Sequence, residues 1–409
     1  MSRATPETAP PIRLPVSLWQ LALVYLKIGV TGFGPALAAE TKKHLVNDRK
    51  WLSEEDFLNG LALAQMLPGA IFASLTVYVG YKIRGFAGAV TSFFAFLLPP
   101  FLLMLLLSYV YFVYNALPEV SILFQGMAVV VAGLVTSAVI DIGKTTVTDF
   151  KGLIVASAAA GLMLWLPNIF LLLLLAATAG IVLYYQPLKR QAMSNNTAAT
   201  PKMPRSAVFP VKRLLIFFAV LAATAYGLSW QPVLQQLGWV FFRMGSFLFG
   251  GGFAMIPFIQ QEVVTHYHWL TVDEFVVGIA LGQVTPGPVL ITATFIGYKV
   301  AGVSGAIAST LGIFLPSLFL VTITAEIHQI LRHNLWIKAA IKGIVAAFTG
   351  SIAVVAVGLA QHALVDIPSF LLAAATFAVL RFSNLDTVWV VLGGTMAYWL
   401  VTLARTLLI

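Results

Sequence analysis

Two short segments interrupt apolar sequence in the same way: Gln65-Met-Leu-Pro68-Gly69 and Gln283-Val-Thr285-Pro286-Gly287-Pro288. Proline removes a backbone donor and glycine loosens the chain, so each pair breaks a helix and frees backbone polar groups. At membrane depth such a break is tolerated where it is buried in protein or lines a cavity. A helix restarting near Pro68 or Pro288 turns its unpaired N–H groups and positive dipole end towards the break, which is the chemistry of an anion site. Gln65, Gln283, Thr285, Thr292 and Thr294 add neutral hydrogen-bonding groups. A lone Pro-Gly reads more simply as a packing kink. Its duplication in register, behind a glutamine, favours a ligand site.

A second repeated element precedes each break: Gly29-Val-Thr-Gly-Phe-Gly-Pro35 in the first half, and 245–253 in the second, with Gly250, Gly251 and Gly252 in a row. Glycines this dense mean close backbone approach or an interrupted helix. Just before them sit Lys27 and Arg243, each in an apolar segment. Intramembrane cations are costly and face a partner, a cavity or an interface. Supplied at the same place by both halves, they are suited to neutralise a dianion; snorkelling of long side chains to an interface is the competing explanation. Glu40 and Glu262 are candidates to take up a coupling proton or to pair with these cations, and His44 aligns with Glu262. Asp141 beside Lys144, and Glu326 near His328, read as ordinary ion-pair or cap residues. Glu54, Glu55 and Asp56 after Ser53, like Asp273 and Glu274 after Thr271, read as first-turn acids on capped helices.

The elements that must position these groups are membrane helices. With 60% hydrophobic and 10% charged residues and a mean hydropathy of +0.93, the chain cannot bury its apolar surface in a water-soluble core. Stretches such as 86–114, 169–185 and 388–409 are long enough to cross a hydrocarbon layer of about 30 Å, and the alternation of a membrane barrel is missing. An internal repeat organises the chain: residues 51–69 realign without gaps on 269–287, with nine of nineteen pairs identical, Trp, Gln, Pro and Gly among them. The match continues through Gly80-Tyr-Lys82 with Gly297-Tyr-Lys299, Gly85 and Gly88 with Gly302 and Gly305, and Pro99 with Pro316. The expected organisation is a tail over 1–14, a first repeat over 15–186, a basic linker over 187–213, a linking helix over 214–230 and a second repeat over 231–409. Residues 42–50 carry Lys42, Lys43, Arg49 and Lys50, whereas the equivalent 262–269 has no Lys or Arg. By the positive-inside rule the equivalent loops lie on opposite sides and the linker is cytoplasmic. The fold class is therefore an all-α polytopic membrane protein with two homologous repeats in inverted orientation and broken or re-entrant helices; a parallel duplication is the alternative. Segments 35–47 and 55–83 read as re-entrant hairpins or broken spans, within about ten to fourteen helices.

Several classes are excluded. The first residues lack a signal-peptide core and are expected to remain as a tail. There is no cysteine, hence no disulfide framework or thiolate metal site. The net charge of +9 sits in loops between spans, which argues against nucleic acid. No nucleotide loop, zinc-protease motif, nucleophile elbow or dinucleotide fingerprint occurs, and His266 with His268 make a weak metal pair. The protein is read as no enzyme, with no cofactor or metal. Transport against a gradient would then draw on an ion gradient or a partner subunit.

Taken together these residues resemble the chromate ion transporter family in its long, two-domain form, over nearly the whole chain. The most specific parts are Phe249-Gly-Gly-Gly-Phe253 with Pro257 and Glu262, Trp269-Leu-Thr with Phe275, and Gln283 to Pro288 leading to Gly297-Tyr298 and Gly302. The resemblance implies efflux of chromate across the bacterial inner membrane, driven by the proton gradient and giving chromate resistance, with sulfate as competitor. The lipid bilayer is the surrounding partner, and a homodimer is left open. The first half departs from the family pattern at Gly32-Phe33-Gly34-Pro35, at Pro68-Gly69-Ala70 and at His44. A sulfate-like oxyanion carrier, a membrane-embedded lipid-phosphate enzyme and an assembly subunit without its own flux are the alternatives.

Overall fold

The computed structural model describes residues 16–33, 36–115, 117–165, 168–194, 231–247, 249, 251–325, 334–383 and 385–408. The first half runs α1 (Leu18–Thr31), α2 (Ala36–Lys42), a π-helical turn (Lys43–Asp48), α3 (Glu54–Met66), α4 (Ile71–Tyr114), α5 (Pro118–Thr146), α6 (Phe150–Trp165) and α7 (Ile169–Ser194). The second repeats that order: α8 (Pro232–Phe247), a 3-10 turn (Gly252–Met255), α9 (Ile256–Gln260), a π-helical turn (Gln261–His266), α10 (Val272–Val284), a 3-10 turn (Val289–Ile291), α11 (Thr292–Thr324), α12 (Leu335–Ala363), α13 (Ile367–Phe382) and α14 (Thr387–Leu408). Ser53 caps α3 above its three first-turn acids, and Thr271 with Glu274 closes a capping box on α10. The terminal tail 1–14 and the linking helix 214–230 lie outside the described residues.

Both α4 and α11 double back on themselves. Gly85 (φ +62°) and Gly302 (φ +59°) reverse the chain in a conformation that glycine adopts readily. Ser92 then donates to the Thr76 carbonyl at 3.0 Å, and Ser309 to the Ala293 carbonyl at 2.6 Å. Gly80 meets Gly88 and Gly297 meets Gly305 with no room for a Cβ. Each element is thus a short arm (71–83, 292–300) and a long arm (86–114, 303–324). The short arms also fold back on α3 and α10. Gly60 lies against the Tyr78 ring and Gly278 against the Phe295 ring, while Lys82 reaches Asp56 at 3.3 Å and Lys299 reaches Glu274 at 2.7 Å. The outcome is a helix–break–helix hairpin in each half, with its tip at 67–70 or 285–288.

The halves are interwoven rather than side by side. Helix α5 packs on α13 and α14, and α12 packs on α5, α6 and α7. Glycines bring these backbones together: Gly133 against Ala373, Gly350 against Ala156, and Gly343 against Ala176 and Gly180. Among the described residues six apolar stretches are long enough to cross a membrane: the long arms 86–114 and 303–324, which lie within 71–114 and 289–324, and the helices over 120–146, 169–191, 335–363 and 387–404. Leu98, Leu102 and Leu106, all exposed, form an apolar stripe on the long arm of α4, a surface matched to acyl chains.

Helix α7 runs through Pro187 to Ser194, so the first residues of the basic segment 187–213 are helical; 195–213 lie outside the described residues. Proline has no N–H for the Leu183 carbonyl one turn back, and Lys151 supplies the missing donor at 3.0 Å. Beside it Asp149 accepts from the Tyr184 hydroxyl and the Gly152 N–H, each at 2.7 Å. Burial pushes the Asp149 carboxyl up, but these hydrogen bonds and the charges of Lys342 and Lys151 outweigh it and hold the group below its usual range.

Candidate functional site

At the hairpin tips the helices stop because Leu67 and Thr285 turn extended ahead of proline. Gly69 (φ +126°) and Gly287 (φ +99°) follow in a region closed to most side chains. Each tip then docks on the opposite half. The Ala70 N–H donates to Ser317 Oγ at 3.0 Å, and a Cβ at Gly69 would strike that serine. Correspondingly, a Cβ at Gly287 would lie 3.0 Å from Pro100. The Gly287 N–H donates to the Gly32 carbonyl at 2.7 Å, and Phe33 bridges Gly287 in parallel fashion. The glycine segment of one half therefore completes the break of the other.

These bonds change the expected donor inventory. The Ala70 and Gly287 N–H groups are already taken by protein acceptors. Thr285 donates to the Leu281 carbonyl at 2.7 Å, Thr292 to the Val289 carbonyl at 2.9 Å, and Thr294 pairs with Thr310 at 2.7 Å. Gln283 remains open: it is 8% exposed and its Nε2 is buried without a partner, the condition that a bound acceptor would relieve. Its sequence equivalent Gln65 is exposed, Pro68 is half-buried, and Gly69, Pro286 and Pro288 are buried.

The second-half cation is held in place. Arg243 Nη2 lies 3.2 Å from Glu262 Oε2, and its guanidinium carbon sits 4.9 Å from the Phe170 ring centroid. Phe170 belongs to α7 of the first half and is fixed edge-on against Phe247 and Phe258. Gly251 (φ +98°) and Gly252 follow, half-buried, with Gly252 against Val289 at the second tip; Gly250 lies outside the described residues. Lys27 sits elsewhere, exposed on the α1 face that carries Trp19, Leu23 and Val30. Glu40 is not joined to Lys27 but lies 3.4 Å from His44, whose other ring nitrogen is 3.3 Å from Asp48. Asp141 pairs with Arg381 of α13 at 2.8 Å, not with Lys144. His266 and His268 are exposed, and Glu326 with His328 lies outside the described residues.

The structure thus unites Arg243 with Glu262 and sets Lys27 apart. Sequence reasoning missed Phe170 and the buried His44 cluster. The i, i+4, i+8 spacing of Glu40, His44 and Asp48 is a signal for the cluster; Phe170 has none, because tertiary packing alone brings it to Arg243.

A helical, multi-pass membrane protein with paired broken hairpins and an internal cation has an architecture that recurs among secondary transporters. Residues 19–181 and 235–399 match the family described as chromate transporter. The chain is 34% identical over 397 residues to the chromate transport protein of Cupriavidus metallidurans, covering 93% of this chain and 92% of that protein. It is 33% identical to a probable chromate transport protein of Synechococcus elongatus (87% and 88% covered), and 30% identical to the chromate transport protein of Pseudomonas aeruginosa (98% and 96% covered). No solved structure matches it. The chain belongs to the chromate transporter family.

Proposed function

We propose that the protein exports chromate from the cytoplasm across the bacterial inner membrane in exchange for protons, and so confers chromate resistance. The relatives' names supply the ion. The observation that carries the site is Arg243, a cation within apolar sequence that is clamped by Phe170, only partly exposed and next to the glycine segment that meets the second tip. A dianion there would draw on Arg243 and Gln283, with the Pro68-Gly69 and Pro286-Gly287 tips forming its walls. Sulfate, equally tetrahedral and doubly charged, is the expected competitor.

Alternating access is the mechanism this architecture favours. The end of the first long arm, at Phe112, packs on Phe295 (4.8 Å) and Tyr298 (6.1 Å), close to the turn from which the second long arm departs. The long arms then run antiparallel, which supports inverted repeats over 15–186 and 231–409, as does the uneven Lys and Arg content of the equivalent loops. With the linker cytoplasmic, rocking of the tips against Pro100 and Ser317 would open the site to either side.

Inside-out vesicles containing this protein test the reading. Chromate is expected to accumulate when a proton gradient is imposed and to stop when it is collapsed. Arg243→Ala is expected to lower uptake by at least tenfold. Uptake of sulfate without chromate would overturn the substrate; undiminished uptake by the variant would remove Arg243 from the site.

A further inference from the structure

Arg243 gives Glu262 a single contact, Nη2 to Oε2 at 3.2 Å, and its Nε is buried with no acceptor. A guanidinium presents its donors as a planar fork matched to two oxygens of one oxyanion. Here one prong holds a carboxylate and the other is empty. The Phe170 ring lies against the guanidinium from the first half. The Arg243 side chain is 30% exposed and that of Glu262 11%, so solvent reaches part of the cation, while Nε is covered until the carboxylate moves away. Glu262 lies on a π-helical turn, an irregularity that recurs at functional sites. In the first half Lys27 is exposed, and His44, aligned with Glu262, faces Glu40 and Asp48 instead.

We infer that Glu262 is a tethered counter-anion. Its carboxylate occupies part of the Arg243 fork in the empty protein, and the tetrahedral oxyanion displaces it, engaging Nη2 together with Nε. This rests on Arg243 as the oxyanion ligand and deepens that reading, giving the acid the role of internal competitor and locating the exchange in the second half alone. No covalent bond changes; one anion replaces another on the same donors. The tethered acid keeps the empty site neutral, which weakens its hold on anions that can engage one prong but not both.

Equilibrium binding of chromate and of sulfate to the purified full-length protein tests this with a sign that a merely structural ion pair would not give. Glu262→Gln is expected to bind chromate about tenfold more tightly than wild type, because a neutral amide competes poorly for a guanidinium. Arg243→Gln is expected to lose at least tenfold, and the double variant to show no gain over Arg243→Gln. Unchanged or weaker binding by a folded Glu262→Gln protein overturns the inference. Should that variant fail to fold, Glu262→Asp takes its place: the shorter acid is drawn back from Nη2, and binding tightens by a smaller factor or the inference falls. Wild type that binds neither oxyanion overturns the reading of Arg243 and this inference together. Wild-type binding that survives Arg243→Gln moves the oxyanion site elsewhere, and the competitor role falls with it.

Discussion

Gly287 concentrates several demands in one residue. Its φ of +99° suits glycine, its Cβ direction points 3.0 Å from Pro100, and its N–H is bonded to Gly32. Gly287→Ala therefore meets backbone strain and a ring that must move, and is expected to destabilise the protein by about 1–3 kcal/mol. Gly85→Ala provides the comparison, since its φ of +62° carries strain but nothing lies within 4 Å of its Cβ. Thermal unfolding in detergent should show the larger loss for Gly287→Ala; equal losses would mean that the contact with Pro100 contributes nothing. The sequence announced both glycines through the repeat. It could not distinguish Gln65 from Gln283, which stand at matching positions yet differ in exposure, because burial depends on what packs around each position in three dimensions.

Among the elements, α7 shows how a helix passes an internal proline. The Leu183 carbonyl left open by Pro187 is taken by Lys151 from α6. Lys151→Met is expected to destabilise by about 1 kcal/mol through the unpaired carbonyl. In a Pro187→Ala background the helix supplies its own N–H, and the same substitution should lose much less. A double-mutant cycle on melting temperature measures the difference, and additivity would sink the explanation. Helix starts were legible here, since Ser53 and Thr271 cap as their acids suggest. The end of α7 was not, because the donor that lets it continue comes from another helix.

At the scale of the whole molecule the interweaving matters most. Helix α5 rests on α13 and α14, and α12 on α6 and α7, so neither half is complete alone. The inverted arrangement predicts that the two hairpin turns reach opposite faces of the membrane. Since the chain has no cysteine, Ala87→Cys and Ser304→Cys, at exposed positions just past each turn, can be labelled individually with a membrane-impermeant maleimide. One should react from outside intact cells and the other after access from the cytoplasm; labelling of both from one side would establish a parallel duplication instead.

The sequence by itself determined the membrane class, the repeat and the family, because hydropathy, residue spacing and the Gln-x-x-Pro-Gly break are properties of the chain read in order. It also marked Arg243 and Glu262, with their pairing as one of the alternatives. Tertiary structure decided which donors remain open. The Ala70 and Gly287 N–H groups are satisfied by Ser317 and Gly32 of the opposite halves, and Arg243 is fixed by an aromatic ring from a helix more than seventy residues earlier. Equivalent sequence positions acquired unlike surroundings, Lys27 exposed and Arg243 paired, since a side chain's burial and partners are set by the elements that pack against it and not by its neighbours along the chain.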